Sequence, residues 1–423
     1  MLGICQWFHY EDYAMVDRCI KLMHELGIRH LRTGISWADF HRPGGEAWYR
    51  WQMERLADFD VLLSIWHTPP SIAEGQVCAS PAQRLQDYAD FLGEVIDLFG
   101  DRFSHLELWN EPNNRYRWDF RRFDPQWAKF GEITRRAAQT VKECGKPTVL
   151  GGMIPVDSNW LELMETYGAL DHVDVIAIHG FPEMWWPDHP NWEWRGRWHG
   201  WAEKVESIAE YTQDRPVWIT ETGLATWDLH QACESRFDLQ VAKLREAADA
   251  PAKRVYWYCL VDLDPDREAI EGFHEDENEY HLGLVTYDGR KKPSFDEFKR
   301  LVEQQSRISE DFPVKTNPPA TPVEALDARI ARTLSGTTIP SSHAVGLAQP
   351  TNGWRNKRRE LVHELANQAH VVALACKILE SDNPEDVEAV RSMLSNLQSE
   401  LHALIYSLRG EAACESAEPE AAR

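Results

Sequence analysis

The stretch Leu106-Glu-Leu-Trp-Asn-Glu-Pro-Asn113 closes one short apolar run, and Val217-Trp-Ile-Thr-Glu-Thr-Gly223 closes another. Both runs are rich in the branched and aromatic residues that fill buried β-strands. Six more runs of this kind occur between the N-terminus and residue 303. The sequence therefore predicts eight strands, at residues 3–8, 28–37, 61–68, 105–113, 147–153, 173–181, 216–223 and 254–261.

Longer segments with a helical period lie between these strands. In residues 81–99 the apolar positions recur at spacings of three and four, and Gly100 follows as a stop signal. Strands that alternate with helices imply βαβ units and a parallel sheet. Eight such units within about 300 residues match an α/β fold, the (β/α)8 TIM barrel, whereas a dinucleotide-binding fold would need a glycine-rich turn after its first strand.

The chain changes character after the predicted barrel domain at residues 1–305. Prolines interrupt a polar stretch at 306–353, which we interpret as a linker. Residues 354–410 carry two apolar stripes at helical spacing, the second a heptad seam from Val387 to Leu408, and predict a helical hairpin. An acidic flexible tail follows at 411–423. Because two short helices bury only one seam, the hairpin is expected either to dock on the barrel or to form a homodimer.

The charge and cysteine pattern exclude several classes of partner. The chain has 45 lysines and arginines against 68 aspartates and glutamates, a formal charge of −23, which repels nucleic acid and anionic membranes. No apolar run reaches the ~18 residues of a spanning helix, and the N-terminus does not resemble a signal peptide, so a cytoplasmic protein is expected. Eight cysteines without a C-x-x-C pair give no sign of a disulfide framework or a zinc ribbon, and no metal or cofactor is expected.

Two glutamates stand at the ends of predicted strands, Glu111 in the fourth and Glu221 in the seventh. Reactive side chains of a (β/α)8 barrel project from the carboxyl ends of its strands. Glycoside hydrolysis needs such a pair, one carboxyl to protonate the leaving oxygen and one carboxylate to attack or stabilise the anomeric carbon. Asn110 adds an amide able to bind a sugar hydroxyl. Glu107 has the same inward-facing strand parity as Glu111. A barrel-strand glutamate can also be a core ion-pair partner, and we interpret Glu107 as such a residue, paired with an arginine.

Nineteen tryptophans are many for 423 residues, and six of them crowd into the loop after the sixth strand. A tryptophan face suits stacking on a sugar ring as well as packing in a core. We interpret the loop as one wall of a sugar pocket, and the alternative is a self-packed mini-core that holds the loop shut. The six are Trp185, Trp186, Trp192, Trp194, Trp198 and Trp201.

The motif Trp109-Asn-Glu-Pro112, combined with Ile219-Thr-Glu-Thr-Gly223, resembles the acid/base and nucleophile strands of the clan A glycoside hydrolases. The resemblance covers residues 1 to about 303. It implies a retaining double displacement in which Glu111 is the general acid/base and Glu221 is the nucleophile. Residues 281–293 also resemble the segment that follows the last barrel strand in family 39 and related β-xylosidase-like members, where its role is structural.

The same resemblance implies four further site residues. It suggests that the arginine ending the second strand supports the nucleophile, that two histidines line the pocket and that a tryptophan of the eighth strand forms its floor. Each has a structural alternative. The arginine could neutralise neighbouring carboxylates, the histidines could be hydrogen-bonded residues near the barrel rim, and the tryptophan could be an ordinary aromatic residue of the barrel interior. The four residues are Arg32, His67, His179 and Trp257.

The leading hypothesis from the sequence is a retaining β-glycosidase that acts from the chain end on a small β-glycoside, xyloside-like or glucoside-like, with carbohydrate as its only expected ligand. An endo-glycanase or a transglycosidase would carry the same two carboxylates in a more open cleft or a drier acceptor site. A non-catalytic sugar-binding scaffold, with the hairpin recruiting a partner, is the alternative from another class. The presence of both carboxylates favours an enzyme.

Overall fold

The computed structural model describes residues 1–114, 120–182, 198–227, 236–267 and 277–311. Eight parallel strands form a closed barrel in chain order, so the predicted (β/α)8 barrel is confirmed. The predicted linker, hairpin and tail lie outside the described residues, apart from 306–311, which continue the last helix past the predicted boundary at 305. The strands are β1 (Leu2–Cys5), β2 (His30–Ser36), β3 (Asp60–Trp66), β4 (His105–Leu108), β5 (Thr148–Met153), β6 (Val175–Gly180), β7 (Val217–Thr222) and β8 (Val255–Tyr258).

Helices connect the strands on the outside of the barrel. None of those described is long and apolar enough to cross a bilayer. Their bounds are α1 (Tyr13–Leu26), α2 (Trp37–Phe40), α3 (Gly45–Arg55), α4 (Asp87–Phe99), α5 (Phe120–Phe123), α6 (Ala128–Glu143), α7 (Ser158–Thr166), α8 (Trp201–Glu206), α9 (Ala209–Thr212), α10 (Phe237–Ala248) and α11 (Pro293–Asp311).

Helix α1 illustrates how the local sequence sets these elements. The Asp12 side chain accepts a hydrogen bond from the Met15 backbone N–H at 3.1 Å and caps the first turn. Apolar residues at spacings of three and four face the barrel and are buried. Gly27, with a φ of 69°, ends the helix in the left-handed conformation that costs glycine least. Capping and periodicity therefore place α1 directly after the first strand.

Helix α4 begins later than its apolar period predicts, at Asp87 rather than at residue 81. The residues before it form a bridge instead, in which Ala73 and Ala82 pair in antiparallel fashion. The Gln83 N–H donates to the carbonyl of Ile72 at 2.8 Å, and the Glu74 N–H donates to that of Pro81 at 2.9 Å. The backbone of residues 81–83 is thus bonded to the segment around Ala73, and the helix begins after it, at Asp87.

A polar cluster closes the amino-terminal end of the barrel, opposite the expected active site. Asp60 lies 2.9 Å from His30 Nδ1 and 3.1 Å from Arg254 Nη1, and it accepts a hydrogen bond from Ser104. Burial acts to raise the pKa of Asp60, but the hydrogen bonds from His30 and Ser104 and the charge of Arg254 lower it well below its usual range. This end of a barrel serves stability.

The segment at 281–293 returns the chain from the barrel mouth to α11. Its Val285 pairs with Val261, just beyond β8. The buried ammonium of Lys292 donates to Asp262 Oδ1 at 2.7 Å, to Thr226 Oγ1 at 3.1 Å and to the His281 carbonyl at 3.1 Å. These bonds tie together the segments that follow β7 and β8, which agrees with the structural role predicted for 281–293.

Candidate active site

Arg32 lies at the centre of the site, but not at the end of its strand as predicted. It is the third residue of β2, in register with Cys5 of β1 and Leu62 of β3, and its side chain is fully buried. The guanidinium lies over the ring of Trp7, 4.7 Å from the ring centroid. The length of the arginine side chain lets a residue from low in the barrel contact groups near the carboxyl ends of the strands.

Arg32 donates four hydrogen bonds, three of them to oxygen, and makes a further ion-pair contact with Glu107. Burial acts to lower the pKa of Arg32, but the surrounding anionic groups, with Glu107 foremost, raise it well above its usual range, so the side chain stays charged. The contacts are Nε to Glu107 Oε2 at 2.7 Å, Nη2 to the same oxygen at 2.6 Å, Nη2 to Asn110 Oδ1 at 2.6 Å, Nη1 to Glu221 Oε1 at 2.5 Å, and Nη1 to Cys5 Sγ at 3.2 Å.

Glu221 is the fifth residue of β7, and its side chain points into the barrel mouth. The residue is 6% exposed and in register with His179 of β6, next to a shift in the register of β6 against β7. Its Oε1 accepts from Arg32 and lies 3.8 Å from Cys5 Sγ, while Oε2 lies 3.6 Å from His179 Nδ1. Burial raises the pKa of the Cys5 thiol, so a protonated sulfur faces the carboxylate.

Glu111 lies three residues beyond the end of β4, because the chain turns out of the strand before reaching it. Trp109 has a φ of 72° and Glu111 a φ of 47°, both in the left-handed region that a strand cannot contain. The carboxylate is 6% exposed. Its Oε1 lies 2.9 Å from His179 Nδ1, and its Oε2 accepts from Asn114 Nδ2 at 2.8 Å. The strained turn thus places Glu111 beside β6 and β7 instead of within the strand layer.

His179 connects the two glutamates. The ring is fully buried, and burial lowers its pKa to about 4, so the imidazole is neutral near neutral pH. A neutral ring has one donor and one acceptor nitrogen. Nε2 lies 2.9 Å from the Thr220 hydroxyl, which can either donate or accept, so Nδ1 can serve an ionised or a protonated Glu111. Gly152 of β5 leaves room for the ring, because a Cβ there would collide with it.

The structure brings most of the predicted site residues to one place. Glu111, Glu221, Arg32, Asn110 and His179 form a connected network of hydrogen bonds and ion pairs. The Asn110 carbonyl oxygen accepts from Arg32, which fixes which end of this amide faces the guanidinium. In this arrangement the Glu221 carboxylate contacts the Arg32 cation, and the Glu111 carboxylate contacts the Asn114 amide and the His179 imidazole.

Of the remaining predicted residues, two are described and two lie outside the described residues. His67 follows β3 with a φ of 62°, is half-buried, and has its Nδ1 3.3 Å from Ser36 Oγ. Trp257 belongs to β8 and is 1% exposed, so it offers almost no surface, and its role as a pocket floor stays a prediction. Trp185 and Trp186 lie outside the described residues.

Two tryptophans of the aromatic loop region are described, and both pack against protein. The rings of Trp198 and Trp201 meet edge to face at 4.9 Å, and Trp201 is buried. Trp198 Nε1 donates to Glu246 Oε1 on α10 at 2.5 Å. For these two residues the contacts fit the packing alternative better than a sugar-binding wall.

Sequence reasoning missed four contributors to the network. Cys5, Asn114 and Gly152 lie outside the quoted motifs, and Thr220 lies within one but was given no role; strand register or the turn after β4 places all four. A usable signal did exist for Cys5 and Thr220, because Cys5 ends β1 and Thr220 directly precedes Glu221. The predicted pairing of Glu107 with an arginine is confirmed, the arginine being Arg32.

The same residues are candidate ligands for a metal ion. In the described part of the chain, one group of histidine and carboxylate side chains is close enough to do so: Glu111, His179 and Glu221 each offer a ligating atom within 4.8 Å of the others. Arg32 already engages Glu221 Oε1 at 2.5 Å, which places a fixed positive charge beside any cation bound there. That charge disfavours a resident metal ion.

No protein-family model matches the chain, and no curated protein matches its sequence. Solved structures do resemble it. A GH5_18 protein from Streptomyces cattleya in complex with GlcNAc has a TM-score of 0.52 at 17% identity, over 75% of this chain and 82% of that one. The exo-beta-1,4-mannosidase Op5Man5 from Opitutaceae bacterium strain TAV5 has a TM-score of 0.51 at 18% identity, over 73% of this chain and 60% of that one.

A GH2 beta-galacturonidase from Eisenbergiella tayi bound to galacturonate has a TM-score of 0.48 at 15% identity, and the chain matches only 50% of its length. Likeness at these identities concerns the fold. The described barrel shares the (β/α)8 fold of the Streptomyces cattleya and Opitutaceae proteins, and what this chain binds or cleaves has to be argued from its own side chains.

Proposed function

We propose that this protein is a retaining β-glycosidase, with Glu221 as the nucleophile and Glu111 as the general acid/base. The observation that carries the proposal is the placement of two nearly buried carboxylates with oxygen atoms within 4.8 Å of each other, both facing the same nitrogen, Nδ1, of His179. Retaining enzymes hold their carboxyl groups about 5 Å apart, whereas inverting enzymes leave roughly 6.5–9.5 Å for a water molecule. The close spacing favours direct attack by a carboxylate.

The environments of the two glutamates support different roles. Glu221 accepts a charge-assisted hydrogen bond from the buried guanidinium of Arg32. Glu111 accepts a hydrogen bond from the Asn114 amide, lies 2.9 Å from Nδ1 of the neutral His179 ring and lies close to Glu221. A carboxylate held by a cation suits a nucleophile, and a carboxyl group beside an amide and a neutral imidazole suits a proton donor.

In the first step a carboxylate oxygen of Glu221 attacks the anomeric carbon while Glu111 gives its proton to the departing oxygen. The bond to the leaving group breaks, and a glycosyl ester forms on Glu221. In the second step the ionised Glu111 takes a proton from water, whose oxygen attacks the anomeric carbon and releases Glu221. The two inversions give net retention, and kcat/KM should depend on pH as a bell-shaped curve.

The proposed substrate is a small β-glycoside cleaved from its end, xyloside-like or glucoside-like. The resemblance of residues 281–293 to β-xylosidase-like members is the basis for the choice of sugar. The closed pocket stays a prediction from the sequence, since the described Trp198 and Trp201 pack against protein. An endo-glycanase or transglycosidase would use the same carboxylates. A panel of chromogenic β-xyloside, β-glucoside, β-galactoside, β-mannoside and α-arabinofuranoside substrates, with polymers as a second panel, separates these possibilities.

Azide rescue tests the roles of the two glutamates. Glu221→Ala should lose turnover, and added azide should restore it with an α-glycosyl azide as product, because the anion occupies the vacated nucleophile position. Glu111→Ala should keep slow glycosylation of substrates with good leaving groups and give the β-glycosyl azide. Glu54→Ala, at an exposed glutamate of α3, is the control and should behave as the parent.

Three outcomes of this experiment would contradict the proposal. Exchanged anomers of the two azide products would reverse the assigned roles. Initial release of the inverted sugar, seen by NMR, would exclude double displacement. Sugar binding without hydrolysis of any substrate would favour the non-catalytic scaffold.

A further inference from the structure

We propose that Glu107 is a positioning residue that sets the basicity of the nucleophile through Arg32; the inference rests on the function proposed above. Glu107 and Glu221 bind the same guanidinium from different strands, with oxygen to nitrogen distances of 2.6 and 2.5 Å. Neither the sequence motifs nor the double displacement requires a third carboxylate at this place. Its position beneath the reacting pair gives it an electrostatic role in the reaction.

The contacts of Glu107 are unusually one-sided. The residue is fully buried on β4, in register with Ser64 of β3. Both of its Arg32 contacts, from Nε and Nη2, fall on Oε2. Its Oε1 is buried and meets no hydrogen-bond partner among the described residues. A core ion pair built only for stability would be expected to satisfy both oxygens, because an unsatisfied buried acceptor is costly.

Charge explains what the arrangement achieves. A single cation facing Glu221 alone would hold that carboxylate in its ionised form but make it a weak base and a weak nucleophile. A second carboxylate on the same guanidinium offsets much of the positive potential at Glu221. Arg32 therefore still orients Glu221 through a hydrogen bond. Because Glu107 offsets its charge, the electrostatic potential that Glu221 experiences is close to that from an uncharged hydrogen-bond donor.

Glu107→Gln isolates this electrostatic effect. Because both Arg32 contacts fall on one oxygen, the amide oxygen of glutamine can accept both of them, and its NH2 group takes the place of the unpartnered Oε1. The variant loses the negative charge and keeps the anchor. The drawback of Glu107→Gln is that its NH2 group is buried without a partner. Glu107→Met avoids this buried donor, but it leaves Arg32 without the acceptor that Glu107 provides. Both variants remove the charge.

The test is the pH dependence of kcat/KM together with the titration of Glu221 itself. In either variant that folds, judged by circular dichroism, the acid limb should move down by about one pH unit. At pH 7, kcat/KM should fall by up to about tenfold, because the nucleophile is about one pKa unit less basic. Asp60→Asn is the control. It removes a carboxylate at the opposite end of the barrel, and it should leave the acid limb in place.

The titration of Glu221 separates this inference from the proposed function. Carbon-13 NMR of glutamate-labelled protein follows the Glu221 carboxyl signal, assigned by its loss in Glu221→Gln, whether or not the protein hydrolyses any sugar. A lowered Glu221 pKa without turnover upholds the role of Glu107 and rejects the glycosidase. Turnover with an unmoved titration, or failure of both variants to fold, assigns Glu107 to structure alone and overturns the inference.

Discussion

Arg32→Met should be among the most damaging single substitutions in the barrel. The guanidinium is fully buried and forms ion pairs at 2.5 and 2.6 Å with Glu221 and Glu107. At an effective dielectric constant of about 20, unit charges about 3 Å apart attract by roughly 5 kcal/mol, and desolvation of the ions offsets part of this. Removing one partner of a buried pair costs about 3–5 kcal/mol, because the remaining charge stays buried without compensation.

The cost of Arg32→Met should depend on pH in a defined direction. Without the cation, Glu107 and Glu221 would have pKa values in the folded protein above the ordinary value of about 4.3. A group whose pKa is raised on folding contributes stability at low pH, which is lost as the pH rises through the raised value. The destabilisation should therefore be largest near pH 7 and should shrink toward pH 5.

Urea unfolding at pH 7 and pH 5, followed by tryptophan fluorescence, measures both effects. Arg42→Met is a matched control, since Arg42 also lies over an aromatic ring, that of Tyr10 at 4.8 Å, and pairs with a carboxylate, but its side chain is 57% exposed. It should change the free energy of unfolding by less than about 1 kcal/mol. A cost below about 1 kcal/mol for Arg32→Met at pH 7, or one that is equal at both pH values, would refute the reasoning.

Three further predictions concern other parts of the chain. Gly152→Ala puts a methyl group against the ring of His179 and should lower kcat/KM by about 10²-fold, whereas Gly93→Ala, in a helix with room for the methyl, should not; equal activities of the two variants would contradict the packing argument. Asp60→Asn should lower the free energy of unfolding by about 1–2 kcal/mol at pH 7 and by less at pH 3. The reason is that a carboxylate whose pKa is lowered on folding stabilises the fold at pH values above its unfolded pKa and loses that contribution as the pH falls. If chemical denaturation gives the same loss of unfolding free energy at pH 7 and pH 3, the result counts against the ion cluster. Truncation after Asp311 should leave turnover intact and lower the oligomeric state seen by light scattering, and a folded but inactive barrel would show that the predicted hairpin takes part in the site.

The barrel could be predicted from the sequence because each strand is recognisable from its own short stretch of residues. Apolar runs of four to seven residues between helical segments are enough to count eight strands, and a parallel sheet of eight βα units has few ways to close. The two glutamates were predictable for the same reason, since both stand where a run ends. Local pattern failed where nonlocal pairing decides, as at residues 81–86, whose backbone bonds to the segment around Ala73.

The network around the glutamates depended on register and side-chain length, which one sequence does not reveal. The family resemblance suggested Arg32 at a strand end, yet its Cα lies lower in β2 and only its long side chain contacts Glu221. Cys5 and Thr220 contact the site because neighbouring strands happen to be in the required register. Glu107 was predicted as an ion-pair partner, but its sharing of one cation with Glu221 follows only from coordinates.

The position of His179 bears on how charge moves in the proposed cycle. Arg32 and Glu107 cancel, so the site begins with one negative charge, on Glu221. When Glu221 becomes an ester, its charge is gone and Glu111 has lost a proton, so one negative charge remains and now belongs to Glu111. The same imidazole nitrogen, Nδ1, lies 3.6 Å from Glu221 Oε2 and 2.9 Å from Glu111 Oε1. A neutral ring whose other nitrogen is held by Thr220 can therefore turn its N–H toward whichever carboxylate is charged, without gaining or losing a proton itself.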